Sequence, residues 1–141
     1  MNKNMSLIDK LIENKIINKE KASDLRREAA EKGKREEEVI LENKIVVEDV
    51  LFNLKSQELK VPIKRVVATE VSLEILNSVE EETARHYQMI PIGKKDNNVL
   101  EIGMVYPEDL KAQEALKFLG RQEKFTYEVF LITIRDFEKL L

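Results

Sequence analysis

The chain has 141 residues, 43% of them hydrophobic and 36% charged, with a formal net charge of −3. That length holds one domain or two small packed ones, with enough apolar residues for a core and enough charge for a solvated surface. Cysteine is absent, which excludes a disulfide framework and a thiolate metal site and suits a reducing compartment. No apolar run approaches the ~20 residues of a membrane span, and the opening MNKNMSLIDK lacks the apolar stretch of a secretion signal. Residues 1–60 carry 13 basic and 13 acidic side chains, and residues 61–141 carry 11 and 14. Neither half has the basic excess that a phosphate backbone demands, so nucleic-acid binding is not expected.

From the N-terminus, Leu7, Ile8, Leu11 and Ile12 recur at helical spacing, with Asn4 or Ser6 placed to cap a first helix. A second helix is predicted from Asn18, as N-cap, to Lys32, with Gly33 as its stop. A third begins near Arg35 and carries Val39, Ile40 and Leu41; a fourth begins near Val47 and carries Val50, Leu51 and Leu54. Glu13–Ile17 reads ENKII and Glu42–Val46 reads ENKIV, 29 positions later. In each, Asn is expected to take the left-handed conformation that ends a helix, and Lys to suit the negative C-terminal dipole. The apolar pair then returns the chain to the core. Two copies at one spacing point to a duplicated helical hairpin over residues 1–60.

After Lys60 the period changes. Pro62 favours an extended Val61-Pro62-Ile63, and short helices are predicted over Ser72–Val79 and Glu80–Tyr87. Met89–Ile92 and Val99–Val105 read as two strands of a hairpin joined by the polar stretch 93–98. Pro91 places the first of them at a sheet edge or strand end. Pro107 opens a helix from Glu108 to Leu119 that Gly120 ends, Phe125–Ile132 reads as a third strand, and Ile134–Leu141 as a closing helix. The expected class is α+β: two tandem helical hairpins over 1–60, then an α+β subdomain over 61–141 with a three-stranded, mainly antiparallel sheet.

The stretch ETARHYQMIPIGKKDNNVLEIGMVYPEDLKAQEALKFLG, following the 29-residue helical repeat and the extended x-Pro, resembles the N-terminal domain of type II secretion and type IV pilus assembly ATPases. The matching residues are Ala84-Arg85-His86-Tyr87, Ile90-Pro91 and Gly103-Met104-Val105-Tyr106-Pro107-Glu108-Asp109, with Tyr106 where the family has Asp. The resemblance covers residues 5–141. It implies a cytoplasmic, non-catalytic domain that docks the motor domain of a parent ATPase onto the cytoplasmic part of an inner-membrane platform protein, peripheral to the membrane and without inserting into it. Well-known members of the family bind cyclic di-GMP through two repeats that open with Arg-Leu-Gly, continue to a Gly at the helix turn and end with Gln. This chain has Ser6-Leu7-Ile8, Lys15 and Ala29 in the first repeat and Arg35-Glu36-Glu37, Lys44 and Glu58 in the second. Leu7 and Arg35 remain; the glycines do not, and Glu36 to Glu38 would repel a dianion. The expected reading is a scaffold that has lost the ligand, with no cofactor, and with Lys34 and Arg35 as the residual nucleotide candidates. Lys15 and Lys44 read as solvated helix-end charges.

Catalysis finds little support. A P-loop needs Gly-x-x-x-x-Gly-Lys-[Ser/Thr], and none of Gly33, Gly93, Gly103 and Gly120 begins one. His86 is the only histidine and reads as structural or solvent-facing; Glu80 to Glu82 and Asp109 read as first-turn acids, and no metal site is expected. An apolar docking patch is expected instead on the helical half, with Leu7, Leu11, Leu51 and Phe52 as partner-binding candidates. Phe52 either faces outward or closes the seam between the halves. Two rival readings are a cyclic di-GMP receptor and a free-standing adaptor protein.

Overall fold

The computed structural model describes residues 6–96 and 98–141. The chain divides into two compact units, 1–58 and 59–141, two residues before the boundary expected from the sequence.

The first unit contains four helices: α1 (Leu7–Glu13), α2 (Lys19–Lys32), α3 (Glu36–Glu42) and α4 (Glu48–Leu59). Their starts repeat at 29 residues, Leu7 to Glu36 and Lys19 to Glu48, so the duplicated wording corresponds to a duplicated structure. Ser6 caps α1 in a capping box: the Asp9 N–H donates to Ser6 Oγ (3.2 Å), and the Ser6 N–H donates to Asp9 Oδ2 (3.1 Å). Asn18 accepts from the Lys21 N–H (2.8 Å), and Gly33 ends α2 at φ 62°, the left-handed region where a Cβ is costly.

Both Asn-Lys junctions are Schellman turns, with one correction to the expected roles. The left-handed residue is Lys, at φ 60° for Lys15 and 55° for Lys44, while Asn14 and Asn43 keep negative φ. Lys15 and Lys44 donate their N–H groups to Ile12 and Leu41; Ile16 and Ile45 donate theirs to Leu11 and Ile40. Each Asn serves through its side chain, donating Nδ2 to the carbonyl four residues back, Lys10 or Val39 (2.8 Å each). Each Asn thus adds a second donor to a carbonyl that its own main-chain N–H already uses, and the cost of positive φ falls on its neighbour.

In the second unit Pro62–Lys64 runs extended and Ile63 bridges Leu131 in parallel. A single 3₁₀ turn (Ala68–Glu70), α5 (Leu73–Leu76) and α6 (Glu81–Tyr87) lead into β1 (Met89–Lys95) and β2 (Val99–Met104). The strands pair antiparallel with a bulge between Pro91 and Gly93, and β1 is an edge strand, as Pro91 requires. Then α7 (Leu110–Glu123) crosses to β3 (Thr126–Leu131), followed by α8 (Ile134–Leu140).

The α+β class and the three strands are as expected, but β3 pairs with β2 in parallel, so the sheet is mixed. The reason lies in α7: a helical crossover returns the chain in its original direction, as a short turn cannot. Nor does Gly120 stop α7. It lies inside the helix, where a Cβ would sit 2.9 Å from the Phe125 carbonyl oxygen, so that close approach and not a helix stop calls for glycine; Lys124, at φ 60°, caps the helix instead. Asp109, read as a first-turn acid, is the N-cap and accepts from the Lys111 N–H (2.9 Å). Met89, Leu100, Ile102, Met104, Ala112 and Leu116 form the core between sheet and α7. Buried Asp136 accepts the Val66 N–H (3.0 Å) and meets Arg65 Nε (3.4 Å), clamping the segment after Lys64 onto α8.

Candidate functional site

The four apolar docking candidates do not form a surface. Leu7, Leu11, Leu51 and Phe52 are all buried, and Phe52 has no exposed area. Of the two readings of Phe52, the outward-facing one is therefore overturned. On α4 the buried stripe is Leu51, Phe52 and Lys55, at the spacing that stacks side chains on one helix face, and Val50 points outward at 44% exposure. Ile16 and Val47 are the other exposed large apolar residues described in the helical unit.

Lys34 and Arg35 sit in the turn between α2 and α3. The Lys34 ammonium meets Glu42 Oε2 at 2.5 Å, and its hydrogen bond to that carboxylate raises its pKa above the ordinary lysine value. Arg35 is the N-cap residue of α3, exposed, with its main-chain N–H donated to Glu38 Oε1 (3.0 Å). The structure brings the two nucleotide candidates together in sequence order, but with carboxylates as neighbours.

The three consecutive glutamates prove to be internal fasteners. Glu36 Oε1 accepts the N–H of Ile8, in the first turn of α1 (3.3 Å), and burial raises its pKa against the opposing effect of that hydrogen bond. Glu37 Oε2 meets Lys55 Nζ at 2.5 Å with both side chains almost wholly buried (6% and 3% exposed), and Lys55 lies 5.5 Å from the Phe52 ring centre. Glu38 returns to the Arg35 N–H. Other cations are likewise paired: Arg26 with Asp9, Lys32 with Glu28, and Lys10 with Glu13 and Glu58. For Asp9, burial alone would raise the pKa, but the Ser6 N–H and the Arg26 charge outweigh it and the net shift is downward. An anion entering this turn would compete with existing carboxylate partners.

At the family's ligand-motif positions, Lys15 and Lys44 are exposed left-handed residues, Ala29 is half-buried, and Glu58 meets Lys10 at 3.6 Å. His86 is exposed and packs edge-on against Tyr87, ring centres 4.5 Å apart. Glu80 is the N-cap residue of α6 without a side-chain capping bond, and Glu81 pairs with Arg85. Among the described residues no three His, Asp or Glu side chains group as metal ligands, and no helix is long and apolar enough to cross a membrane.

Sequence reasoning missed the exposed apolar residues of the second unit. Leu73 is 75%, Leu110 73% and Phe118 61% exposed. Leu110 and Phe118 lie two residues off the buried Ala112–Leu116–Gly120 stripe of α7, about 200° around the helix, and apolar residues off a core stripe were the available signal. Phe118 helps line a groove of about 570 Å³ with Glu80, Tyr87, Lys111 and Glu114. Leu110 helps line a second groove of about 480 Å³ that reaches β3.

The family model of the MshEN domain matches residues 59–141, more than half of the chain. In structure, the whole chain is similar to "MshE with cdg" at 24% identity and a TM-score of 0.73, covering 96% of this chain and 93% of that one. It is similar to the N-terminal domain of XpsE at 15% identity and a TM-score of 0.67, covering 99% and 94%. A second crystal form of XpsE gives 15% identity, a TM-score of 0.55, and coverage of 95% and 90%. At these identities the structural likeness establishes the fold. No curated protein matches.

Proposed function

Because the chain belongs to the MshEN domain family, we propose that it is the non-catalytic docking and regulatory N-terminal domain of a type II secretion or type IV pilus assembly ATPase. In this reading it binds the cytoplasmic part of an inner-membrane platform protein and transmits to it the movement of a motor domain. The observation that carries it is the likeness to the N-terminal domain of XpsE over nearly the full length of both chains. The absence of a Gly-x-x-x-x-Gly-Lys-[Ser/Thr] pattern supports a domain that leaves ATP hydrolysis to other residues. Docking would use exposed apolar residues such as Val47, Val50, Leu73 and Phe118 rather than the buried set read from the sequence.

The likeness to a structure of MshE with cdg favours one alternative, a cyclic di-GMP receptor. Against it stand the missing glycines and the carboxylates beside Lys34 and Arg35. Titration calorimetry with cyclic di-GMP separates the readings: no heat of binding is expected. Micromolar binding abolished by Arg35→Ala would establish the receptor. Co-purification with candidate platform proteins tests the docking role, and failure with every cytoplasmic platform domain of the source organism would refute it.

A further inference from the structure

Pro62 and Asp136 bracket a very short piece of sheet. On the outer edge of β3, Leu131 donates its N–H to the Pro62 carbonyl (2.8 Å) and accepts the Lys64 N–H at its own carbonyl (2.9 Å), which makes one parallel bridge. Toward the N-terminus, the next ladder bond would need a main-chain donor at residue 62, and proline has none. Lys60, at φ 57°, then leaves the extended path. Toward the C-terminus, the Val66 N–H turns from the ladder to Asp136 Oδ2 (3.0 Å). The pairing therefore ends after a single bridge.

Residues 62–66 also bury little of themselves. Pro62 and Arg65 are exposed, and Ile63, Lys64 and Val66 are half-buried. Lys64 Nζ meets Glu101 Oε1 (2.9 Å) and lies 4.6 Å from the Phe130 ring centre. Arg65 and Val66 both reach the one carboxylate of Asp136, which is buried in the first turn of α8 with its N–H donated to Thr133 Oγ1 (3.1 Å). A segment with few main-chain bonds and few buried apolar atoms opens at lower cost than the core beneath it. This is also the stretch that carries the chain from the first unit, which ends at Glu58, onto the sheet.

We propose that residues 62–66 form a releasable strap, closed by Asp136 and by the Ile63–Leu131 bridge, whose opening lengthens the connection between the two units while the sheet stays folded. Closed, the connection is limited to residues 59–61; open, it gains five residues, about 17 Å of extended chain. Asp136 is the latch, because it holds two adjacent residues of the strap at once. The device goes beyond the docking reading and stands without it.

Native-state amide exchange on the full chain, followed by NMR, compares two neighbours. Leu131 and Ile132 have no exposed area, but the Leu131 N–H is bonded to the strap and the Ile132 N–H to Met104 of β2. Lys64, Val66 and Leu131 are expected to exchange through one common opening, with protection at least about tenfold lower than at Ile132. Asp136→Asn should speed these three amides about tenfold further and leave Ile132 unchanged. Lys64→Ala, which leaves Asp136 and α8 untouched, should speed Val66 and Leu131 in the same way. Because the chain has no cysteine, spin labels at Glu31→Cys and Gln122→Cys, exposed positions one in each unit, report the connection, and their distance distribution should broaden in Asp136→Asn. The proposal is overturned if Leu131 is as well protected as Ile132, or if the two variants speed both amides alike. It is also overturned if Asp136→Asn leaves the distance distribution unchanged.

Discussion

The buried Glu37–Lys55 pair supplies a sharp test of how the helical unit is held together. With the charges 2.5 Å apart and both side chains nearly inaccessible, an effective dielectric of about 20 gives a gross attraction of roughly 7 kcal/mol, most of it offset by desolvation. Replacing Lys55 by Met removes the attraction but leaves Glu37 buried and unpaired, so the loss should be about 3–5 kcal/mol. Glu37→Met removes the same attraction from the other side. The double variant removes both charges and should lose much less than the sum, with a coupling of about 2 kcal/mol or more. Urea denaturation of the four proteins, followed by circular dichroism at fixed pH and salt, measures each difference. If Lys55→Met costs less than about 1 kcal/mol, or the two changes add within about 0.5 kcal/mol, the pair is not the fastener described here.

Phe52→Ala should destabilise by about 3–5 kcal/mol, since the ring has no exposed area; a midpoint unchanged in the same denaturation assay would restore Phe52 as a surface residue. Gly120→Ala should cost about 1–3 kcal/mol because its methyl meets a main-chain oxygen. Gly33→Ala, with open space around it, should cost about 1 kcal/mol from its positive φ alone; thermal melts that reverse this order would refute the assignment of the two roles. Glu36 has a folded pKa raised above 4.5, so the folded state holds the proton longer and stability falls as pH climbs through the mildly acidic range. Glu36→Gln should remove that fall. Asp9 has the opposite sign: its pKa is lowered below 3.8, and its contribution is present above that value and lost as pH falls. Denaturation midpoints measured across pH should therefore show a shallower acid-side slope in Asp9→Asn than in the parent chain.

What was legible in the sequence was local. Ser6, Asn18 and Gly33 announce helix ends because capping depends on a few adjacent residues. Pro91 announces an edge strand because it lacks a donor. The Asn-Lys junction was located correctly and its roles exchanged, since either residue satisfies the pattern and the sequence does not say which carbonyl the Asn side chain will reach. Phe52 was left with two readings, outward or buried, because Lys55, a charged residue on the buried stripe, interrupts the apolar period; its partner Glu37 lies 18 positions away, in a run that resembles a solvated face. The parallel pairing of β3 depends on where α7 delivers the chain, which no local signal encodes. Of the candidate site, the glycine losses were readable, whereas the engagement of Glu36 to Glu38 required the fold.

Successive residues of an α-helix project about 100° apart, so three adjacent glutamates at the start of α3 leave it in three directions. One reaches back to its own entry turn, one crosses to α4, and one touches the first turn of the other copy. The first turn of α3 is thus phase-locked to three neighbours at once. Deleting or inserting a single residue there would rotate all three contacts out of reach together, so this stretch should tolerate substitution better than any change of length.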